Sequence, residues 1–304
     1  MVNESRMPEG LEGFGEFLVG MPPRMGMELV AGMLQSNGCP DANFDARELV
    51  RMVTGEDPYV RQDPLTEEEV IQLVTLAARR FERYPLQYLA GKWPFLNFEV
   101  QVGEGVLIPR ADSEPVCLAA IEKAKAVEAP AVLDLCAGSG CLGLGVKKFV
   151  PAAAVTAVEK SPEALVWLKK NAAGALEGFS EEHPALIVEE GDAFTWQEGK
   201  AEESFDLIVT NPPYLTADEM LVLQAEVRFE PAMALDGGVD GLRFYRHIAE
   251  AYLPLVKHGG WLVAEFGWLQ WEAVKAILEQ AGWTEVTILK DLEGRPRGAA
   301  AKRP

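Results

Sequence analysis

Between Pro130 and Leu289, short apolar runs alternate with stretches of helical character, and this alternation restricts the fold more than any other feature of the chain. The runs are Ala131–Leu135, Val155–Val158, Ala185–Val188, Phe205–Val209, Trp261–Phe266 and Glu285–Leu289. Each is strand-sized and apolar, and four of the six follow directly on a Gly, Pro or Ser. Ser161 and Pro162 supply a hydroxyl cap and a proline at the first helical position, opening a helix that carries Leu165, Trp167 and Leu168 and ends near Gly174. A later helix runs to Gln280, with Gly282 as its stop. Strands joined through helices imply a mostly parallel sheet with helices on both faces.

Two strand ends in this unit carry chemistry. The first run passes into Asp134-Leu135-Cys136-Ala137-Gly138-Ser139-Gly140-Cys141-Leu142-Gly143, in which Gly138, Gly140 and Gly143 fit G-x-G-x-x-G. Glycines there let the backbone approach a ligand as the chain turns into a helix. Glu159 ends the next strand, where the hydroxyls of a ribose need an acceptor. Together these point to a nucleoside-type cofactor. The Asp134 carboxylate beside the loop suits an ammonium better than a phosphate, and S-adenosylmethionine carries an ammonium, a ribose and an adenine. Gly191-Asp192-Ala193-Phe194, after the third strand, is placed for the adenine.

The fourth run ends in Asn211-Pro212-Pro213-Tyr214. Each proline fixes its own φ, lacks an N–H and turns the preceding residue away from helix. The result is a stiff, extended elbow. The Asn211 side-chain oxygen and the Pro212 carbonyl form two fixed acceptors beside an aromatic ring, a grip for a planar NH2 on either an adenine or an amide.

The first ~85 residues read as helical on pattern. Thr66 and Glu69 have capping-box spacing ahead of Val70, Leu73, Val74, Ala77, Phe81 and Tyr84. Asp45 and Glu48 open a shorter helix that stops near Gly55, and Arg61–Pro64 links the two. From Pro85 to Pro109, Leu96, Phe98, Val100 and Val102 alternate with polar residues, and Leu107-Ile108 follows Gly103 and Gly105, a pattern of a β-hairpin. Met1–Met33 is broken by Gly, Pro and Glu and so lacks a signal-peptide core, and no run of about 18 apolar residues is present for a membrane span. The four cysteines are scattered, which indicates neither a zinc site nor a disulfide framework and fits a reducing cytoplasm. The net charge of −19 opposes binding to a phosphate backbone.

Several segments sharpen the elbow's meaning. Leu107-Ile108-Pro109-Arg110-Ala111-Asp112-Ser113-Glu114, Arg228-Phe229-Glu230-Pro231 and Pro85-Leu86-Gln87-Tyr88-Leu89-Ala90-Gly91, with the elbow and the Asp134 loop, resemble the HemK/PrmC family of peptide chain release factor glutamine methyltransferases. The resemblance covers almost the whole chain. It implies a Rossmann-like S-adenosylmethionine-dependent methyltransferase domain with a seven-stranded mixed sheet over 110–304. Ahead of it stand a helical substrate-docking domain over 1–85 and a β-hairpin linker over 86–109. It further implies methylation of the glutamine of a Gly-Gly-Gln motif, with no metal, by a monomer whose partner is a release factor. Carried over by position, Asp134, Cys136, Ala137, Gly138, Ser139 and Gly140 line the methionine end of the cofactor. Glu159 holds the ribose, and Asp192 and Ala193 the adenine. Asn211, which also touches the cofactor, acts with Pro212 and Tyr214 in catalysis. Pro213, Arg110 and Glu230 join them in holding the substrate.

The chain departs from the family pattern at Cys136, often a glycine, at Ala111, usually a proline, and in its tail, which is blander than the family's closing strand. Glu226, Arg228, Phe229 and Glu230, ahead of the glycine-rich stretch Asp236–Gly241, are expected to shape a peptide channel, and Arg228–Pro231 with that stretch looks closer to the release-factor branch than to a related branch acting on a ribosomal protein. An adenine methyltransferase of nucleic acid shares the elbow, but the acidic balance opposes it. A nucleotide-binding protein without methyl transfer leaves the elbow unexplained.

Overall fold

The structure, a computed structural model, describes residues 7–175 and 183–304. The first residues of Met1–Met33 therefore lie outside the described residues. Contacts divide the chain into two units. One runs to Ala90 and takes in Ala225–Phe229; the other comprises Gly91–Gln224 and Glu230–Pro304.

The first unit is helical: α1 (Glu12–Leu18), α2 (Pro23–Ser36), α3 (Ala42–Thr54), α4 (Glu67–Phe81) and α5 (Leu86–Ala90). Thr66 caps α4 in a complete capping box with Glu69. Gly55 ends α3 in the left-handed conformation. Asp45 does not open α3, which begins earlier at Ala42. It is buried, and its carboxylate accepts a hydrogen bond from Arg80 Nε at 2.7 Å. The same guanidinium donates to Glu226 at 2.8 Å, and Arg83 grips both oxygens of Glu226 at 2.7 Å. Phe229 meets Tyr84 edge-on, with ring centroids 5.3 Å apart. Glu226 and Phe229, expected to shape a channel, are instead part of the helical unit.

The second unit begins with a hairpin, β1 (Lys92–Phe95) and β2 (Phe98–Gln101), that turns at Leu96 and Asn97. Leu107-Ile108 is not part of it and runs outside any strand. Asn171 holds the hairpin by accepting from Gln101 N at 2.7 Å and donating to Gln101 O at 2.9 Å. The remaining elements are α6 (Glu114–Lys125), β3 (Ala131–Leu135), α7 (Cys141–Phe149), β4 (Ala154–Glu159), α8 (Pro162–Ala175), β5 (Ile187–Glu190), β6 (Phe205–Thr210), α9 (Ala217–Leu221), α10 (Arg243–Ala251), β7 (Val256–Glu265), α11 (Trp271–Gln280), β8 (Thr284–Lys290) and β9 (Pro296–Lys302).

The sheet has seven strands in the order β5-β4-β3-β6-β7-β9-β8. β3 through β7 pair parallel, and β9 pairs antiparallel with both β7 and β8, so the sheet is mixed as expected. The order reverses at β3, where β4 lies on one side and β6 on the other, and a ligand crevice forms at such a point. The bland tail is the correction here. Pro296–Lys302 is a true strand whose Ala299, Ala300 and Ala301 are buried. Its small side chains suit the close lie of the neighbouring helix: a Cβ at Gly298 would stand 2.8 Å from Val116 of α6. On one face Tyr245, Ile248, Tyr252, Leu262, Phe266 and Trp283 form the core beneath the site.

Candidate active site

The C-terminal ends of β3, β4, β5 and β6 open into one cleft of about 310 Å³. That volume lies in the range of small-molecule and cofactor sites. Its walls include Cys136–Ser139 after β3, Glu159 after β4, Asp192–Phe194 after β5, and Asn211 and Pro213 after β6. Four strand ends that are well separated in sequence thus converge because parallel strands present the same end to one edge.

The glycine loop is held from below. Asp134 Oδ2 accepts from Gly143 N at 2.8 Å, tying the end of β3 to the first turn of α7. Asp134 is 1% exposed and is not in the cleft wall; its Oδ1 has no hydrogen-bond partner among the described residues. Burial pushes its carboxyl up to about 7, with the Gly143 N–H pulling the other way. At Cys136 the backbone has φ +59°, in the left-handed region that favours glycine. The residue departs from the family pattern at a position where its own backbone still has the glycine conformation. Glu159 Oε2 accepts from Gly138 N at 2.8 Å, while Oε1 accepts from Lys160 N and Ser161 N. Two carboxylate oxygens offer about four acceptor sites, so with three filled Glu159 keeps about one, on Oε2, for a ligand's hydroxyl.

At the far end, Asp192 Oδ1 accepts from Phe194 N at 3.0 Å and Oδ2 pairs with Lys160 Nζ at 2.8 Å. Burial works against charge on Asp192, but the Lys160 ammonium and the Phe194 N–H outweigh it and hold the carboxyl below its ordinary range. The Phe194 ring packs 4.8 Å from that of Phe244, and the Arg243 guanidinium lies 4.5 Å over it. Arg243 and Phe244 come from α10, a helix whose apolar side is marked in the sequence only by Tyr245, Ile248 and Ala249.

A 38% identical relative, the release factor glutamine methyltransferase of Geobacter sulfurreducens, aligns over 277 residues, 89% of this chain and 93% of the relative. This chain belongs to the release factor glutamine methyltransferase family. The relative of the same name from Thermodesulfovibrio yellowstonii is 34% identical over 83% of this chain and 90% of its own. Residues 28–91 match the family model of the PrmC N-terminal domain, and 116–233 that of the methyltransferase small domain. A crystal structure of a release factor-specific protein-(glutamine-N5) methyltransferase from Alicyclobacillus acidocaldarius is 26% identical, with a TM-score of 0.40, over 67% of this chain and 98% of that one.

In this family member the elbow stands where the cleft closes. Thr210 Oγ1 donates to Leu135 O at 2.6 Å and fixes the end of β6. Asn211 lines the cleft, and its Nδ2 is turned toward Ser113 Oγ at 3.5 Å. Pro212 is buried and Tyr214 packs onto the core, and neither of these two expected catalytic residues is in the wall. The glycine-rich stretch covers the elbow from outside: a Cβ at Gly237 would meet Tyr214 Cα at 2.7 Å and Pro213 O at 2.9 Å. Leu215 N donates to Leu235 O, and Gly237 N to Leu215 O, each at 2.9 Å. Arg110 lines the cleft and pairs with Glu230, whose other oxygen accepts from Ile108 N at 2.9 Å. Glu230 is buried and outside the wall, so it latches the Ile108–Arg110 segment. Gly140, at the N-cap of α7, is also outside the wall. Sequence reasoning did not single out Ser113, Lys160, Arg243, Phe244 or Glu265. Their partners lie far off in sequence; Ser113 falls within the Leu107–Glu114 segment without being distinguished there, and no local pattern marks the others.

Proposed function

We propose that this chain transfers a methyl group from S-adenosylmethionine to the side-chain amide nitrogen of the glutamine in the Gly-Gly-Gln motif of peptide chain release factors. The observation that carries this reading is the position of Asn211, in the wall of the same cleft as the glycine loop, Glu159 and Asp192. A donor site and an amino-group grip therefore share one space. The names of the relatives supply the amide rather than the adenine.

The residues fit the cofactor. The cleft is of adequate size, Glu159 has acceptor capacity for a ribose, and Ala193 and Phe194 offer an apolar wall beside Asp192 for a purine. Cys136, Ala137, Gly138 and Ser139 would hold the amino-acid end. When bound, S-adenosylmethionine supplies an electrophilic methyl group on a sulfonium.

The remaining chemistry belongs to the chain. An amide nitrogen is a poor nucleophile because its lone pair is delocalised. The Asn211 side-chain oxygen and the Pro212 carbonyl each accept one N–H of the substrate NH2 and fix its direction. Both acceptors would then stabilise the positive charge that grows on nitrogen as the sulfur–methyl bond is exchanged for a nitrogen–methyl bond; one N–H proton passes to water, and S-adenosylhomocysteine leaves as product. Tyr214 acts from behind by keeping the elbow on the core. Arg110, held by Glu230, borders the substrate end of the cleft. The helical domain over 1–85 docks the protein substrate, with 86–109 as linker to the catalytic domain over 110–304, and the enzyme works as a cytoplasmic monomer. Among the described residues no helix is long and apolar enough to cross a membrane.

Incubation with methyl-labelled S-adenosylmethionine and either a purified release factor or duplex DNA tests this. Label on the Gly-Gly-Gln peptide by mass spectrometry is the expected result. Label on DNA, or on neither, would defeat it.

A further inference from the structure

Glu265 ends β7 in a buried setting beside the elbow. It is 1% exposed, and its Oε2 has no hydrogen-bond partner among the described residues. A buried carboxylate with an open oxygen is costly to keep. Its surroundings are specific. Thr210 of β6 is in register with Ala264 of β7, so Asn211 and Glu265 leave adjacent strands side by side. The Ser113 hydroxyl and the Asn211 amide both present hydrogen-bonding groups to the Glu265 carboxylate. Ser113 is itself 2% exposed and lies 3.5 Å from Asn211 Nδ2.

The direction of an asparagine amide is set by what its two ends meet. A carboxylate only accepts. Beside Glu265, therefore, only the nitrogen end of Asn211 makes a favourable contact, and the oxygen end is left for the cleft. The reversed amide would set oxygen against carboxylate and point NH2 at the substrate's NH2.

We propose that Glu265, with Ser113, is a positioning residue that fixes the Asn211 amide with its nitrogen turned into the protein and its oxygen turned into the cleft. This rests on the amide-methylating reading of the site given above. Other groups facing Glu265 are Arg297 from β9, Asp112 beside Ser113, Cys141 from α7, Tyr214 of the elbow and Tyr245 from α10. Arg297 is occupied by Asp112 at 2.8 Å and favours the charged form of Glu265 from a distance. Burial dominates and raises the Glu265 carboxyl to about 7. Once protonated, it gains an O–H donor and tolerates the reversed amide, so kcat falls as pH drops through about 7.

The test uses the full chain with S-adenosylmethionine and a purified release factor. Glu265→Gln gives position 265 a donor, frees the amide to reverse and is expected to lower kcat about tenfold, the equivalent of one net hydrogen bond. Cofactor affinity should stay within about twofold, since Glu265 is not in the cleft wall. Asn211→Asp places two carboxylates together and should be nearly inactive. Asn211→Asp combined with Glu265→Gln restores a donor–acceptor pair and leaves an oxygen facing the cleft, so it should recover at least about tenfold over Asn211→Asp alone. A Glu265→Gln enzyme with wild-type kcat, or a double variant that is folded and no better than Asn211→Asp, overturns the proposal. Should the variants fail to fold, the wild-type pH profile decides: kcat that stays flat between about pH 6 and 8 at saturating substrates overturns it. A wild-type enzyme that labels no release factor defeats instead the reading on which the proposal rests.

Discussion

Gly143→Ala should damage this protein although the position is helical and alanine is the better helix former. A Cβ there would lie 2.7 Å from Asp134 Oδ2, 3.0 Å from its Cβ and 3.2 Å from its Cγ. Ordinary contact begins near ~3.5 Å, so the Asp134 side chain must retreat by roughly 0.8 Å. It has nowhere to go. The residue is 1% exposed and sits on β3, paired with β4 on one side and β6 on the other. Overpacking of this kind costs about 1–3 kcal/mol. Loss of the 2.8 Å bond from Gly143 N to the carboxylate adds about 1.5–3 kcal/mol. Helix propensity returns at most about 1 kcal/mol. The net of about 2–5 kcal/mol should lower Tm by roughly 5–15 °C for a unit of this size. The shift also moves the glycine loop, so the Kd for S-adenosylmethionine should rise at least about tenfold. Thermal denaturation and titration calorimetry read both effects. Gly32→Ala is the control, because a Cβ there meets nothing within 4 Å and should stabilise by about 0.5–1 kcal/mol. A Gly143→Ala protein with wild-type Tm and cofactor affinity would refute the reasoning.

Other outcomes follow from the same geometry. Asn211→Ala should abolish turnover while cofactor affinity changes by less than about tenfold, or 1.4 kcal/mol, in a binding titration. Arg80→Leu leaves Asp45 buried without its partner and should cost about 3–5 kcal/mol in urea unfolding of the helical unit; Asp45→Leu added to it should bring stability back toward wild type. Between about pH 4 and 7 the cofactor-free protein should lose Tm as pH rises. Asp134 and Glu265, raised to about 7 by burial, hold protons in the fold that the unfolded chain has released; a Tm that climbs with pH across that window would contradict it. Deleting the chain from Arg295 onward removes β9 from between β7 and β8 and should leave no cooperative thermal transition.

Much of this was legible in the residues because the signals were local. The capping box at Thr66/Glu69 forms as spaced, and Ser161 caps α8 through its hydroxyl. The cleft brings together Cys136, Ala137, Gly138, Ser139, Glu159, Asp192, Ala193, Asn211 and Pro213, which the motifs and the family resemblance place at strand ends, and Arg110, which the resemblance alone supplied. What could not be read depends on distant partners. Asp45 looked like a helix opener because its guanidinium lies 35 positions away. Glu230 looked like a substrate contact, but Ile108 and Arg110 claim it across more than a hundred positions. The tail looked unlike a strand because Gly298–Ala301 has no β-branched residue. Its strand character comes from open ladder positions on β7 and β8 and from a helix lying too close for larger side chains. Asp134 was expected to face the ligand, and instead it spends one oxygen on the backbone of α7.

The guanidinium cluster of the helical unit also sets an order of events during synthesis. Arg80 and Glu226 are 146 positions apart. At ~5–20 residues per second, Glu226 is made roughly 7–30 seconds after Arg80. Through that interval Arg80 has only Asp45 as a buried counter-ion, and Arg83 lacks the carboxylate it grips in the finished protein. The Arg80–Arg83 cluster of the nascent helical unit is therefore short of one carboxylate, although the segment around it is itself acidic. It acquires its last ion pair only after β3 to β6 and the elbow have been translated.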